Sequence, residues 1–389
     1  MTLALAVANN VHSLAAQSRN TNILIFTVDD HLKLCHFFSV GIFQLKIVRL
    51  LLGLSKRFEL DYFVQYGPMY FISVYTFVCI ITQSYVTSII TRYLHHTKIW
   101  TIENAPKEII EQVKKIGLYV TLYMATAVCM ALLVAASFTV PTERDNEFLY
   151  PYKLCEKYFP WFKTMFMFLF KFGLFVMAYA SASIPAFGIV YFYAELVLQK
   201  YMLIYSIEKI NANYQKRVYI SLDNKQYHVA VSQKLKIVIK NHIILNKYGR
   251  QALEECQMFV FLFQISGIVT MAGVVVFYFT FSGSLTDQYL RIIALMLLSF
   301  LTVIGLAVSG QTIEDISEEL TDALVKVEWY HWNEINKMKY LILLTNASKV
   351  LAMKFSENIL LNLGLGLQIA KAFFTAVSIM YRLRLSRDV

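Results

Sequence analysis

The residues able to do chemistry are few and scattered. Cys35, Cys79, Cys129, Cys155 and Cys256 contain no CxxC pair, so they suggest neither a zinc site nor a disulfide framework and read as buried thiols. His95 and His96 have no cysteine or carboxylate at metal-ligand spacing. HExxH, GxSxG and Walker sequences are absent, and Gly364 and Gly366 sit in an apolar helical run with no strand before them, so they are no dinucleotide fingerprint. Such a chain is expected to be no enzyme and to need no cofactor and no metal. What remains is polar groups inside apolar stretches. Lys171 lies within such a run, where a charge either snorkels to the near interface or serves a function. Gln368, Thr375 and Ser378, spaced by seven and three, share one helical face. They form either a water-facing seam or hydrogen bonds inside a bundle.

The elements that carry these residues are membrane helices. Of 389 residues only 16% are charged and 57% are apolar, against about a quarter charged in a soluble domain, and the mean hydropathy is +0.51. The net charge of +10 suggests either nucleic acid or a membrane surface, and the apolar content leaves nucleic acid as the poor alternative. Six stretches are long enough to cross a bilayer, running from Gly67 to Thr91, Ile116 to Val140, Thr164 to Ala194, Met258 to Ser282, Gln288 to Ser309 and Ile359 to Tyr381. A seventh, residues 35–54, contains Lys46 and Arg49 and either spans or lies in the interface as an amphipathic helix. The apolar run Leu3 to Ala8 is too short for a signal peptide and has no basic flank, so an internal span is expected to direct insertion.

Twenty of the 36 basic residues fall in three connections, at Arg92 to Lys115, Lys200 to Arg250 and Lys326 to Lys354, while residues 141–163 hold four and 283–287 none. The positive-inside rule makes the three rich connections cytoplasmic. With seven spans this puts the N-terminus inside and the C-terminus outside, despite Arg382, Arg384 and Arg387 near the end. The expected architecture is therefore an all-α protein of seven transmembrane helices, six clear and one weak. Its segments are a cytoplasmic leader (1–34), four spans (35–194), a cytoplasmic helical extension (195–257), spans five and six (258–309), cytoplasmic helices (310–357), a last span (358–381) and a short outer tail (382–389).

The cytoplasmic segments are themselves helical. Tyr201, Ile204, Ile207 and Ile210 form one stripe, and Val231, Leu235, Val238, Ile239, His242 and Leu245 a second. Between 312 and 344 a third stripe of Ile313, Ile316, Leu320, Leu324, Val327, Ile335, Met338 and Ile342 opposes Glu314, Asp315, Glu318, Glu319, Lys326 and Lys337. These stripes pack either on one another or on a neighbouring subunit.

The segment Gly310 to Leu324, followed by Trp329, Trp332 and Lys337 to Leu344, resembles the cytoplasmic approach to the last helix in insect odorant receptors. Ile369-Ala-Lys371-Ala-Phe-Phe374-Thr375-Ala-Val-Ser378 resembles that family's terminal-helix signature, and Ile239 to Leu245 with His242, ahead of Gln264, its approach to the fifth span. The resemblance covers residues 230 to 385; in the N-terminal half only the layout, Leu50 to Leu54 and the aromatic loop from Pro151 to Trp161 agree. One clear span stands before Ile116 where the family has two.

The resemblance implies a subunit of an odorant-gated cation channel in the plasma membrane, tetrameric and assembled with a co-receptor subunit. It implies a pore lined by the last span, with Gln368, Thr375 and Ser378 toward water, a hydrophobic constriction at Ile379, Met380 and Leu383, and Arg382 where the co-receptor carries Gln. A ring of four arginines would repel cations, so this chain is expected to be the tuning subunit in a heterotetramer. The cytoplasmic helices, with Trp329, Trp332 and Leu341, are implied as the subunit anchor. A pocket for a small volatile hydrophobic ligand is implied in the outer halves of the spans. Span geometry selects Tyr70, Phe71, Tyr75, Met130, Ser137, Phe168, Phe172, Phe175, Tyr278 and Phe279 for it. A gustatory receptor of the same superfamily is the nearest alternative, although Ala376 and Arg382 depart from its terminal pattern. A G-protein-coupled receptor would have the opposite orientation, and a transporter would show internal repeats.

Overall fold

The computed structural model describes residues 60–97, 99–100, 106–139, 156–169, 171, 173, 188–211, 225–280, 289–356 and 359–387. The leader, the 35–54 stretch and most of the fourth span lie outside these residues. Within them the long helices are, in chain order, α1 (Leu60–Thr97), α2 (Lys107–Thr139), α3 (Val190–Glu208), α4 (Lys225–Thr280), α5 (Tyr289–Val325), α6 (Glu334–Ala347) and α7 (Leu363–Arg387). Short 3-10 turns stand at Pro160–Phe162 and Trp329–His331, and residues 163–169 are helical. Two short strands, β1 (Lys354–Ser356) and β2 (Ile359–Leu360), pair antiparallel just before α7.

Five of these helices, α1, α2, α4, α5 and α7, are long and apolar enough to cross a membrane. The 56 residues of α4 extend about 84 Å at 1.5 Å per residue, against a hydrocarbon core of about 30 Å. Its apolar C-terminal part from Met258 onward accounts for one crossing, and the preceding part projects well beyond it. α5 likewise continues past its apolar part into the acidic run Glu314 to Glu319. Where the last apolar stretch begins, the chain first makes the β1/β2 hairpin, so α7 starts at Leu363 rather than Ile359.

Two cores follow from this geometry. In the first, Cys79, Val86, Ile90 and Tyr93 of α1 meet Phe192 and Leu196 of α3, Cys256, Val260 and Phe263 of α4, and Leu306 of α5, with Leu351, Met353 and Leu361 tucked in from either side of the hairpin. The second lies in the projecting part, where Leu203 and Ile207 of α3, Ile210 just past its end, Val231, Leu235 and Val238 of α4, Leu320 and Leu324 of α5, and Tyr340 and Leu343 of α6 close around Trp332. The first two of the stripes outside the spans, and the α5 half of the third, are thus buried within this chain. Beyond Leu324 the third stripe breaks. The turn at 326–333 resets the helical phase, and Asn333 caps α6 by accepting from the Asn336 N–H at 3.0 Å. α6 consequently buries Asn336, Tyr340, Leu343 and Ala347 and leaves Ile335, Met338 and Ile342 exposed.

Candidate functional site

α7 is the least covered helix. One side seats Gly366 against Ala307 of α5, where a Cβ on the glycine would stand 3.2 Å from the alanine methyl. On the same side Phe373 packs edge-on against Phe300 with ring centroids 5.6 Å apart. Asn362 fixes the start: its side chain accepts from the Leu365 N–H at 3.1 Å and donates to Glu314 of α5 at 3.3 Å. Just before it, the Leu361 carbonyl lies against bare backbone at Gly310, where any Cβ would overlap it. The opposite side of α7 is largely uncovered. Gln368, Thr375, Ile379 and Arg382 are exposed and Ser378 is half-buried. Thr375 and Ser378 donate to their own helix, to the carbonyls of Lys371 at 2.9 Å and Phe374 at 2.8 Å. The hydrogen bonds these two hydroxyls make therefore stay within α7, and neither ties it to another helix.

The expected pocket residues divide between two seams. Phe71 packs over Gly273 of α4 and its carbonyl accepts from Thr270 at 3.2 Å. Tyr75 lies against Phe263, centroids 5.6 Å apart, and Gly267. On α2, Met130 is half-buried, and Ser137 is buried with its hydroxyl donating to the Val134 carbonyl at 2.7 Å. Phe279 is half-buried near the end of α4. Phe168 is 71% exposed. The side chains of Tyr70, Phe172, Phe175 and Tyr278 lie outside the described residues.

Tyr123 and Arg291 in this region carry no signal in the sequence, whereas Lys171 and Gln264 stand out there. Tyr123 lies on the bare backbone of Gly305 and donates to the Leu301 carbonyl at 3.3 Å. Gln264 is buried within the α4 span, and its amide nitrogen has no hydrogen-bond partner among the described residues. Arg291, buried at the start of α5, donates from Nε to the Ser137 carbonyl at 3.0 Å and lies over the Phe138 ring at 5.3 Å. Lys171 donates to the Thr139 carbonyl at 3.1 Å. Two cations thus converge on the C-terminal carbonyls of α2, where the helix dipole is negative. No local motif announces such a cap, because its donors come from other parts of the chain.

In the projecting region Trp332 is fully buried, its Nε1 donating to Asn211 and to the Tyr227 hydroxyl, each at 3.1 Å. Trp329 stacks on Tyr340 with centroids 5.7 Å apart, and Leu341 is exposed. Lys200 of α3 is also buried here and donates to the Ser317 hydroxyl of α5. Burial lowers its ammonium to about 7. Burial, together with the nearby Lys200 charge, lowers His242 of α4 to about 4.

Long spanning helices and a projecting helical base define a polytopic membrane protein. The chain matches the 7tm odorant receptor family over residues 60–374, and it belongs to that family. The insect olfactory receptor OR5 from Machilis hrabei in complex with eugenol has a similar fold, with a TM-score of 0.65 at 10% identity over 98% of this chain and 99% of that one. A second structure of OR5 gives 0.64 at 10% identity over 95% and 92%. None of the curated proteins matches.

Proposed function

We propose that this chain is the odorant-tuning subunit of an odorant-gated, non-selective cation channel, assembled as a heterotetramer with co-receptor subunits in the plasma membrane of sensory neurons. The observation that carries the reading is α7: polar on a face that its own subunit leaves uncovered. Polar and charged groups on a spanning helix are costly against lipid and face a bundle interior or a water-filled cavity. With one such helix among the described residues, the cavity is supplied by several copies meeting around it. Ile379, exposed on the uncovered side, then provides the hydrophobic constriction, closing by dewetting, and Arg382 lies at its outer side.

The long α4 and α5 extensions with α6 are the cytoplasmic anchor in this reading. Trp332 holds that anchor together from within, so contact with neighbouring subunits falls to the exposed α6 face of Ile335, Met338, Leu341 and Ile342. The ligand is a small volatile hydrophobic molecule held by the outer halves of the spans, with Tyr75 and Met130 as aromatic and flexible apolar walls and Ser137 at the outer end. The complex of OR5 with eugenol supports a ligand of this kind.

The test is co-expression with an insect odorant co-receptor in cells lacking receptors of their own, with whole-cell current recorded against an odorant panel. Odorant-evoked cation current is expected to persist when G-protein signalling is blocked through the pipette. A current abolished by that block overturns the channel reading.

A further inference from the structure

The uncovered face of α7 carries more than three polar residues. Gln368, Lys371, Thr375, Ser378 and Arg382 follow one another at intervals of three, four, three and four, so they form one continuous stripe at 3.6 residues per turn. The packed residues Gly366 and Phe373, with half-buried Ile369, Ala370, Val377 and Met380, lie on the opposite side. Lys371 and Arg382 are both exposed, and neither has an ion-pair partner among the described residues. No Asp or Glu occurs between Leu363 and Arg387. The two cations are three turns apart, about 17 Å along the axis, roughly twice the screening length at physiological salt. They therefore act as two separate positive belts.

Taking the pore reading above as its premise, we propose that Lys371 and Arg382 make this chain's share of the conduction path electropositive, so that assemblies containing it discriminate against divalent cations. A fixed positive charge repels a divalent ion twice as strongly as a monovalent one. Gln368, Thr375 and Ser378 supply the neutral hydroxyl and amide groups between and beside the belts, with no carboxylate to offset them. The burden of charge on a spanning helix is met by water in the path, which is also where that charge acts on ions.

The field is read directly by a reporter between the belts. The full chain carrying Thr375→Cys, co-expressed with the co-receptor in permeabilised cells, is exposed to an anionic and a cationic thiosulfonate reagent, and the remaining thiol is counted by biotin labelling. Ser378→Cys serves as a second reporter and Glu318→Cys, on the exposed acidic part of α5, as the control. Relative to a free thiol, the anionic reagent is expected to gain over the cationic one by about 5-fold per nearby charge. Lys371→Gln should remove most of this gain at the Thr375→Cys reporter, and Lys371→Gln with Arg382→Gln should bring the ratio to that of the free thiol. A ratio unmoved by these substitutions overturns the charge proposal while leaving the pore reading intact. No reaction at either reporter with either reagent, when the control reacts, overturns the pore reading and this proposal with it.

Discussion

Lys200 is held in a place where its charge is a liability. It is buried between α3 and α5, it donates to a neutral hydroxyl, and burial lowers its ammonium from 10.5 to about 7. Between those two values the unfolded chain binds a proton that the folded chain does not. Stability therefore rises with pH from about 7 to about 10.5 and is flat just below 7. His242 adds a second limb by the same logic, with stability falling as the pH drops from 6.5 toward 4. Thermal unfolding of the purified protein in detergent should show both limbs. Lys200→Met should flatten the alkaline limb and raise the melting temperature at pH 7, since an apolar side chain of similar length removes the buried charge. His242→Gln should remove the acidic limb alone. A Lys200→Met protein that melts lower than wild type at pH 7 would show that the bond to Ser317 outweighs the burial of the amine.

At the scale of the elements, the decisive junction is where α5 meets the lead into α7. The Leu361 carbonyl occupies the space a side chain would need at residue 310, so Gly310→Ala must displace either α5 or the α7 start. It is expected to cost about 1–3 kcal/mol by overpacking and, because Asn362 and Glu314 flank the contact, to reduce odorant-evoked current beyond its effect on surface expression. Gly117→Ala, in an open position on α2, should instead gain about 0.5–1 kcal/mol from helix propensity. Thermal melting with surface biotinylation separates the two effects. Much of this level is legible in the sequence. Apolar length locates the five spans that lie among the described residues, and the stripes of Ile207 with Ile210 and of Val231 with Leu235 and Val238 follow from periodicity because each helix keeps one phase. The face of α6 is not legible, because eight residues at 326–333 reset the phase of a pattern that continues smoothly in sequence. The cap on α2 by Arg291 and Lys171 joins residues far apart in sequence, and no periodicity can report that.

For the whole molecule, orientation and permeation are linked through charge. Basic residues gather in the connections that the structure extends into the α3 to α6 base, and Asn346 of the Asn346-Ala-Ser348 sequon is exposed at the end of α6 on that base. A cytoplasmic base means that glycosidase treatment leaves the mobility of the chain unchanged, whereas sugar on Asn346 would invert the topology. With that orientation, and on the pore reading proposed above, Arg382 would lie at the outer part of the conduction path and Lys371 about 17 Å further in. Each belt raises the barrier for a divalent ion more than for a monovalent one, and at separations near the screening length the difference amounts to about a 2-fold change in relative permeability per charge. Replacing external sodium by calcium in cells expressing the mixed channel should therefore shift the reversal potential further positive in Lys371→Gln and in Arg382→Gln than in wild type. The double variant should change the calcium-to-sodium permeability ratio by about 4-fold, the product of the two. The effect should be larger when the chain is expressed alone, where all four copies of each cation face the same path and wild-type current should be small. A wild-type chain that by itself passes calcium as well as the mixed assembly does would mean that neither residue faces the ions.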